Sequence, residues 1–590
     1  MARAVLHGIV VSTGIAIGKG FFVNKNPESA RHELVPLDRI ESEAARLQDA
    51  VDTVAAEFAE ARARLPGDLR RHADVLTSHL LICTDPRLGG EALRRVREQR
   101  MNAEWALEES VARIADIFNA LSSPYIRDRI EDVRLVTDRL FQRLSGACAP
   151  HPTGGERGIL LAHDLTPTDV VDLPIERIAA FAVAQGGGTS HTGLLARSLH
   201  IPAVIGVFGL RKEIFDGDLL IVDGLKGKLL VDPSEAELAA YSDLREQYAI
   251  YRKRVAAYAV HPAETEDGVQ VSVLANVESA AEAEGVLSAG GEGVGLVRTE
   301  FGYITRSSLP GEEDLYEEYA GLAAALAPRK VTFRTLDVGG DKVFSRGKVS
   351  EEANPALGLR GIRYCVRHQD IFRTQLRAIL RAGAHGNVSM MFPLISGLSE
   401  LRLAKSILNE AKQELDDADV PFDPHIPVGI MIELPSAVFM ADALAREVDF
   451  FSIGTNDLIQ YTLGADRGNR HVAHLYQPLH PSIVRAIKQV VDMAHKTGIS
   501  VCVCGEMASD PYCLPILLGM PVDELSLAPQ SIPAIKHLIR RSHARQSRKL
   551  LDQALFASTA NAINNMVRQA VHSAFPEDVG FFVSQLGVNR

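Results

Sequence analysis

His191 closes the run Gly186, Gly187, Gly188, Thr189, Ser190 and precedes residues 192–199, whose composition favours a helix. At a helix start the unpaired backbone N–H groups and the positive end of the dipole favour a bound anion. The same field disfavours imidazolium, which leaves a neutral, nucleophilic ring. Thr189 or Ser190 can cap that helix and also donate to phosphate oxygens. These residues suit transient attachment of a phosphoryl group to imidazole. A glycine turn with a structural cap and an incidental histidine is the other reading of the same segment.

A second set of residues is suited to holding a small anion. Arg298, Arg334, Arg360 and Arg467 lie in four separate segments and supply fixed cations, while Glu433 and Asp457 are oxygen ligands of the kind Mg²⁺ takes. Singly each is weak evidence, because most such side chains form solvated ion pairs worth under ~1 kcal/mol. Their shared position is what counts. Eight apolar strand candidates recur with helical segments between them, at 269–277, 293–298, 331–336, 387–394, 428–434, 450–453, 500–504 and 524–527. That alternation predicts a (β/α)₈ TIM barrel, with chemistry at the strand ends. The polar residues gather there: Asn276, Arg298 with Glu300, Arg334 with Asp337, Glu433, Asn456 with Asp457, and Cys504 with Glu506. A doubly wound open sheet is the alternative, ranked lower because no Gly-rich phosphate loop follows the first strand.

Ahead of the barrel, Ser234 and Glu237 form a capping-box pattern that opens a charged helix to about residue 257. Short β-rich runs between 158 and 232 alternate with helical stretches, and residues 1–23 share their strand character. They are expected to complete one α/β unit. Between them, Ile40, Ala44, Leu47, Val51, Val54 and Phe58 fall at helical spacing, and the pattern resumes after a break at Asp85 and Pro86. A helical domain inserted in the α/β unit is predicted.

The chain has 590 residues, enough for several domains, and 46% hydrophobic residues to fill their cores. A net charge of -12 without a long basic run argues against nucleic acid and anionic membrane as partners. Gly8, Gly14, Gly18 and Gly20 interrupt the apolar start, and no uncharged run reaches membrane-spanning length. Six scattered cysteines do not resemble a secreted disulfide framework, so a cytoplasmic protein is expected.

Residues 186–204 closely resemble the phosphohistidine signature of phosphoenolpyruvate-utilising enzymes. When a phosphoryl group leaves phosphoenolpyruvate an enolate remains, and a weak acid at a strand end can protonate its methylene carbon. Cys504 is the candidate, with a small buried hydrophobe as its other reading; that second reading holds for Cys502 and Cys513. Cys502 and Cys504 point to one face of their strand, but without a second ligand pair they make a poor zinc signature. The segments 295–301, 335–342, 354–360, 429–435, 452–458 and 504–508 resemble the phosphoenolpyruvate-protein phosphotransferase family, enzyme I of the bacterial sugar phosphotransferase system. The likeness covers almost the whole chain.

The resemblance implies that His191 is phosphorylated, that Arg298, Arg334, Arg360, Asn456 and Arg467 bind phosphoenolpyruvate, that Glu433 and Asp457 hold Mg²⁺, and that Cys504 is the general acid. It implies transfer onward to a histidine of the small carrier protein HPr, docked on the helical domain, with release of pyruvate, and a homodimer formed through the barrels. The expected division is a phosphohistidine α/β domain at 1–23 and 148–232, a helical HPr-docking domain at 24–147, a linker helix at 233–260, a barrel at 261–575 and a tail at 576–590. Two departures stand out: Gly188 occupies a position where many relatives carry Arg, and the tail matches nothing in the family. Pyruvate phosphate dikinase and phosphoenolpyruvate synthase share the histidine segment and the barrel. They also carry a large ATP-grasp domain, for which the ~145 residues before the histidine unit are too few. A non-catalytic phosphoenolpyruvate sensor would lack a catalytic group, and none is missing.

Overall fold

The computed structural model describes residues 2–23, 32–64, 73–119, 133, 136–144, 157–163, 175–184, 201–304, 308–339, 354–467, 469 and 471–582. The chain forms two compact units, 1–249 and 250–590.

Among the described residues the first unit holds eight strands: β1 (Ala4–His7), β2 (Ile9–Ser12), β3 (Ile15–Phe22), β4 (Gly158–Ala162), β5 (Ile178–Val183), β6 (Ala203–Ile205), β7 (Leu219–Asp223) and β8 (Lys228–Val231). They form one mixed sheet in the order β1-β8-β7-β3-β4-β5-β6-β2. Here β3 runs parallel to β4, with Gly20 opposite Ile159, and antiparallel to β7, with Ile17 opposite Ile221. The N-terminal strands therefore build the same sheet as those after residue 157. The helical insertion lies between β3 and β4 in the chain. It includes Ile40–Arg64, Ala73–Cys83, Glu91–Gln99 and Ala103–Asn119. Ala44, Leu47, Val51, Val54 and Phe58 are all buried in its core, as their three- and four-residue spacing requires. At the expected break, the Asp85 carboxylate accepts from the Arg87 N–H and Pro86 starts the next turn.

The helix Glu235–Ala256 begins at the predicted capping box. Ser234 donates through both its backbone N–H and its hydroxyl to the Glu237 carboxylate, at 2.9 and 2.6 Å. The boundary between the two units falls inside this helix, at Ala249.

In the second unit β9 (Ser272–Val277), β10 (Val294–Arg298), β11 (Val331–Arg334), β12 (Val388–Phe392), β13 (Val428–Ile432), β14 (Phe450–Gly454), β15 (Ser500–Cys504) and β16 (Glu524–Leu527) close into a parallel barrel. The final pairing sets Leu525 of β16 beside Val273 of β9. All eight strand candidates are present in the expected order. Alternation along the strands separates two cores. Val297, Met390, Ile430, Phe451 and Val503 pack outward with the surrounding helices, whereas Leu296, Met391, Met431, Phe450 and Cys504 form a separate buried cluster inside the barrel. The interior is thus filled, and chemistry is displaced to its mouth.

Residues beyond the last long helix, Ala560–Ala574, also belong to this unit. Asp578 is fully buried against His537, Arg541 and Arg254, and Phe582 packs edge-on against Tyr512. Residues 576–582, expected as part of a tail, are thereby tied into the barrel unit, while 583–590 lie outside the described residues. No helix among the described residues is long and apolar enough to cross a membrane.

Candidate active site

The expected phosphoryl acceptor His191, with Gly188, lies outside the described residues. The remaining expected site residues stand at the carboxyl ends of the barrel strands or in the loops beyond them.

Arg298 and Arg334 are the last residues of β10 and β11 and pair across the ladder. Beyond them the chain carries acids that hold the guanidinium groups. Arg334 bonds Glu300 and makes a 3.0 Å ion pair with Asp337, while its Nε, though buried, has no hydrogen-bond partner among the described residues. Arg360 shares Asp337 at 3.0 Å and reaches Asp457 at 3.1 Å; its other terminal nitrogen donates to the Tyr461 hydroxyl at 3.2 Å. A continuous line of alternating charge results, running Glu300, Arg334, Asp337, Arg360, Asp457. Arg298 stands apart from it. Its side chain is 41% exposed and its ion pair with Glu278 spans 3.6 Å.

Glu433 follows β13 directly and is 1% exposed. Its Oε1 accepts from the Leu394 N–H at 2.6 Å, and Leu394 holds a left-handed backbone, φ 57°, that a branched residue rarely adopts. Burial pushes the Glu433 carboxyl well up, and the like charges of Asp337 and Asp457 push it further against the pull of Arg334 and Arg360. Gly454, at the end of β14, leaves room for it, because a Cβ there would lie 2.9 Å from Glu433 Oε2 and 3.0 Å from Met431 Sδ and one of these side chains would have to shift. Asn456 and Asp457 open the helix Thr455–Leu463 that follows. Asn456 Oδ1 accepts from the Glu506 N–H at 3.0 Å, an approach open only because Gly505 has φ 119° and no side chain in the way. Arg467 is exposed beyond that helix and hydrogen-bonds Tyr476, whose hydroxyl donates to the Asn456 carbonyl at 3.3 Å. It is therefore linked to Asn456 and not to the charge line.

Cys504 ends β15 beside Gly454 and is 2% exposed. Its Sγ accepts from the Ser452 hydroxyl at 3.2 Å and donates to the Ile453 carbonyl at 3.5 Å. Burial raises the thiol above its ordinary range, opposed by the Ser452 bond and by Arg334. At neutral pH the group is a protonated weak acid. Cys502 and Cys513 are buried, and burial likewise raises both thiols.

Ser452, Tyr461, Leu394 and Tyr476 were not singled out from the sequence. Alternation along β14 carries a signal for Ser452, which pairs with Cys502, two residues before Cys504 on the neighbouring strand. Tyr461 meets the site from the helix Thr455–Leu463 and Tyr476 from the loop beyond it, and the Leu394 contact is a backbone N–H that any residue type but proline would supply.

Among the described residues no cluster of three or more His, Cys, Asp or Glu side chains is arranged to hold a metal ion. The donor set is two carboxylates, Glu433 and Asp457, with Asp337 close enough to raise the proton affinity of Glu433. That surplus of buried acid fits Mg²⁺, which takes one or two protein carboxylates and fills its other positions with water and substrate oxygens.

Residues 252–544 match the family described as PEP-utilising enzyme, PEP-binding domain, residues 7–129 its N-terminal family and residues 154–227, which include His191, its mobile domain. The chain is 39% identical to the phosphoenolpyruvate-protein phosphotransferase of Listeria innocua over 96% of its own length and 99% of that protein. It is 40% identical to the enzyme of the same name from Geobacillus stearothermophilus, over 96% and 98% of the two chains, and 38% identical to that of Staphylococcus aureus, over 96% and 99%. A single relationship thus spans the sheet, the helical insertion and the barrel, and it follows that this chain is an enzyme of the phosphoenolpyruvate-protein phosphotransferase family.

Proposed function

We propose that the chain takes the phosphoryl group of phosphoenolpyruvate onto His191 and passes it to a histidine of the carrier protein HPr, releasing pyruvate. The observation that carries this reading is the line of alternating charge from Glu300 to Asp457 at a barrel mouth that also contains a protonated, buried thiol.

In this reading Arg298, Arg334, Arg360, Asn456 and Arg467 receive the substrate. Arg334 and Arg360 are pre-set by their acid partners and lose little freedom on binding, whereas Arg298, loosely paired and partly exposed, turns towards the incoming anion. The P–O bond breaks, the phosphoryl group moves to the imidazole and the electron pair stays on the enolate. Cys504 then gives its proton to the methylene carbon, forming pyruvate and a thiolate that keeps the Ser452 hydrogen bond. Glu433 and Asp457 would hold Mg²⁺, which supplies charge neutralisation at the phosphate and carboxylate oxygens. The helical insertion would dock HPr, and the barrel would form a homodimer.

Incubation of the pure chain with ³²P-labelled phosphoenolpyruvate and Mg²⁺, with and without HPr, tests the reading. Acid-labile, base-stable label on the chain, transferred to HPr and indifferent to ATP, is expected. Absence of label, or label that requires ATP, refutes it.

A further inference from the structure

Parallel pairing between β10 and β11 ends at Arg298 and Arg334, yet the two acids that hold Arg334, Glu300 and Asp337, lie two residues beyond the end of β10 and three beyond the end of β11. Something other than the ladder must keep those two chain ends in register. On the helix Gln369–Ala382, Gln375 is fully buried. Its Oε1 accepts from the Leu336 N–H at 2.9 Å, and its Nε2 donates to the Thr299 hydroxyl at 3.0 Å and to the Tyr319 hydroxyl at 3.2 Å. The Thr299 hydroxyl in turn donates to the Arg334 carbonyl at 2.9 Å. Thr299, Leu336 and Tyr319 are all buried, so water is poorly placed to replace these bonds. The amide of Gln375 acts as one more rung beyond the end of the sheet, tying the residue after Arg298 to the second residue after Arg334.

We propose that Gln375 is a positioning residue for phosphoenolpyruvate, holding the β10 and β11 ends so that Arg298 and Arg334 converge on one anion. The inference rests on the reading of the barrel mouth given above. A nearly isosteric apolar side chain at 375 leaves the Leu336 N–H without its acceptor and the Thr299 hydroxyl without its donor and lets the two ends drift, so that the two guanidinium groups no longer converge on one anion. Proton delivery from Cys504, on β15, does not depend on this rung.

The test uses steady-state kinetics and thermal unfolding of the full-length Gln375→Met, Thr299→Val and Leu376→Ala variants. Leu376 neighbours Gln375 on the same helix and is equally buried, but packs only in the outer core. KM for phosphoenolpyruvate should rise roughly tenfold or more in both Gln375→Met and Thr299→Val, with kcat within about threefold. Leu376→Ala should lose at least as much thermal stability without the rise in KM. If Gln375→Met fails to fold, the comparison of Thr299→Val with Leu376→Ala decides alone. A KM that follows melting temperature through all the variants, or does not move in Thr299→Val, overturns the inference. Failure of the unmodified chain to turn over phosphoenolpyruvate at all would instead sink the underlying reading.

Discussion

Arg298→Ala and Arg334→Ala should fail in opposite ways, although both remove a guanidinium from adjacent strand ends. Arg298 is partly exposed and its ion pair with Glu278 spans 3.6 Å, so removing it should change folding stability by no more than ~1 kcal/mol. A bound anion, however, would lose a charge-assisted partner worth about 1.5–3 kcal/mol, which is roughly a 10- to 150-fold weaker affinity. Arg334 is buried between Glu300 and Asp337, themselves shielded from water. Its removal leaves Glu300 without a cation in the interior and Asp337 with Arg360 alone, and should destabilise the barrel by about 3–5 kcal/mol. Calorimetric titration with phosphoenolpyruvate and Mg²⁺, paired with urea unfolding of the same full-length proteins, separates the two effects. Unchanged phosphoenolpyruvate affinity in Arg298→Ala would remove that residue from the site. Equal destabilisation of both variants would show that the difference in burial does not govern their roles.

Three further outcomes are expected. Cys504→Ala should slow turnover by ~10²-fold or more while KM stays within a few-fold, since proton delivery is needed in the transition state and not for binding; single-turnover rates check this, and an unchanged rate leaves Cys504 as packing. His191→Gln should abolish phosphoenzyme formation with an unchanged circular dichroism spectrum, and label persisting on the variant would place the nucleophile elsewhere. Burial alone would raise the Asp578 carboxyl, but His537, Arg254 and Arg541 outweigh it and hold the group below its ordinary value. Its stabilisation is therefore present above the unfolded value, near pH ~4, and is lost as pH falls through the lower folded one. Asp578→Asn should cost about 1–3 kcal/mol at neutral pH, and the gap to the unmodified chain should close in acid. A gap that stays constant down to the lowest pH at which the chain remains folded would contradict that account.

Much of the architecture is legible in the order of residues along the chain. A parallel strand buried on both faces reads as a short apolar run, and eight such runs separated by helical segments admit few closures other than a barrel. The Ser234 and Glu237 cap was likewise readable, because its partners are three residues apart and meet through local geometry alone. Strand ends also marked where polar residues would collect, which is why Arg298, Arg334, Glu433 and Cys504 could be named from order along the chain.

What order along the chain cannot carry is which of those groups meet. Arg360 pairs with Asp337 and Asp457, 23 and 97 residues away, and only the closed ring of strands brings the three together. Tyr461 joins them through a helix that had no periodicity to distinguish a site tyrosine from a packed one. The Leu394 N–H on Glu433 depends on a backbone conformation forced at one position by its surroundings, against the preference of its own side chain. Gln375 is the clearest instance, since a glutamine within an amphipathic helix reads as surface until the barrel folds that helix over the ends of β10 and β11. Local sequence, acting over a few residues, determined the elements and the order of the chemistry along the chain; closure of the barrel, which buries charges far apart in sequence beside one another and leaves each needing a partner, decided the site.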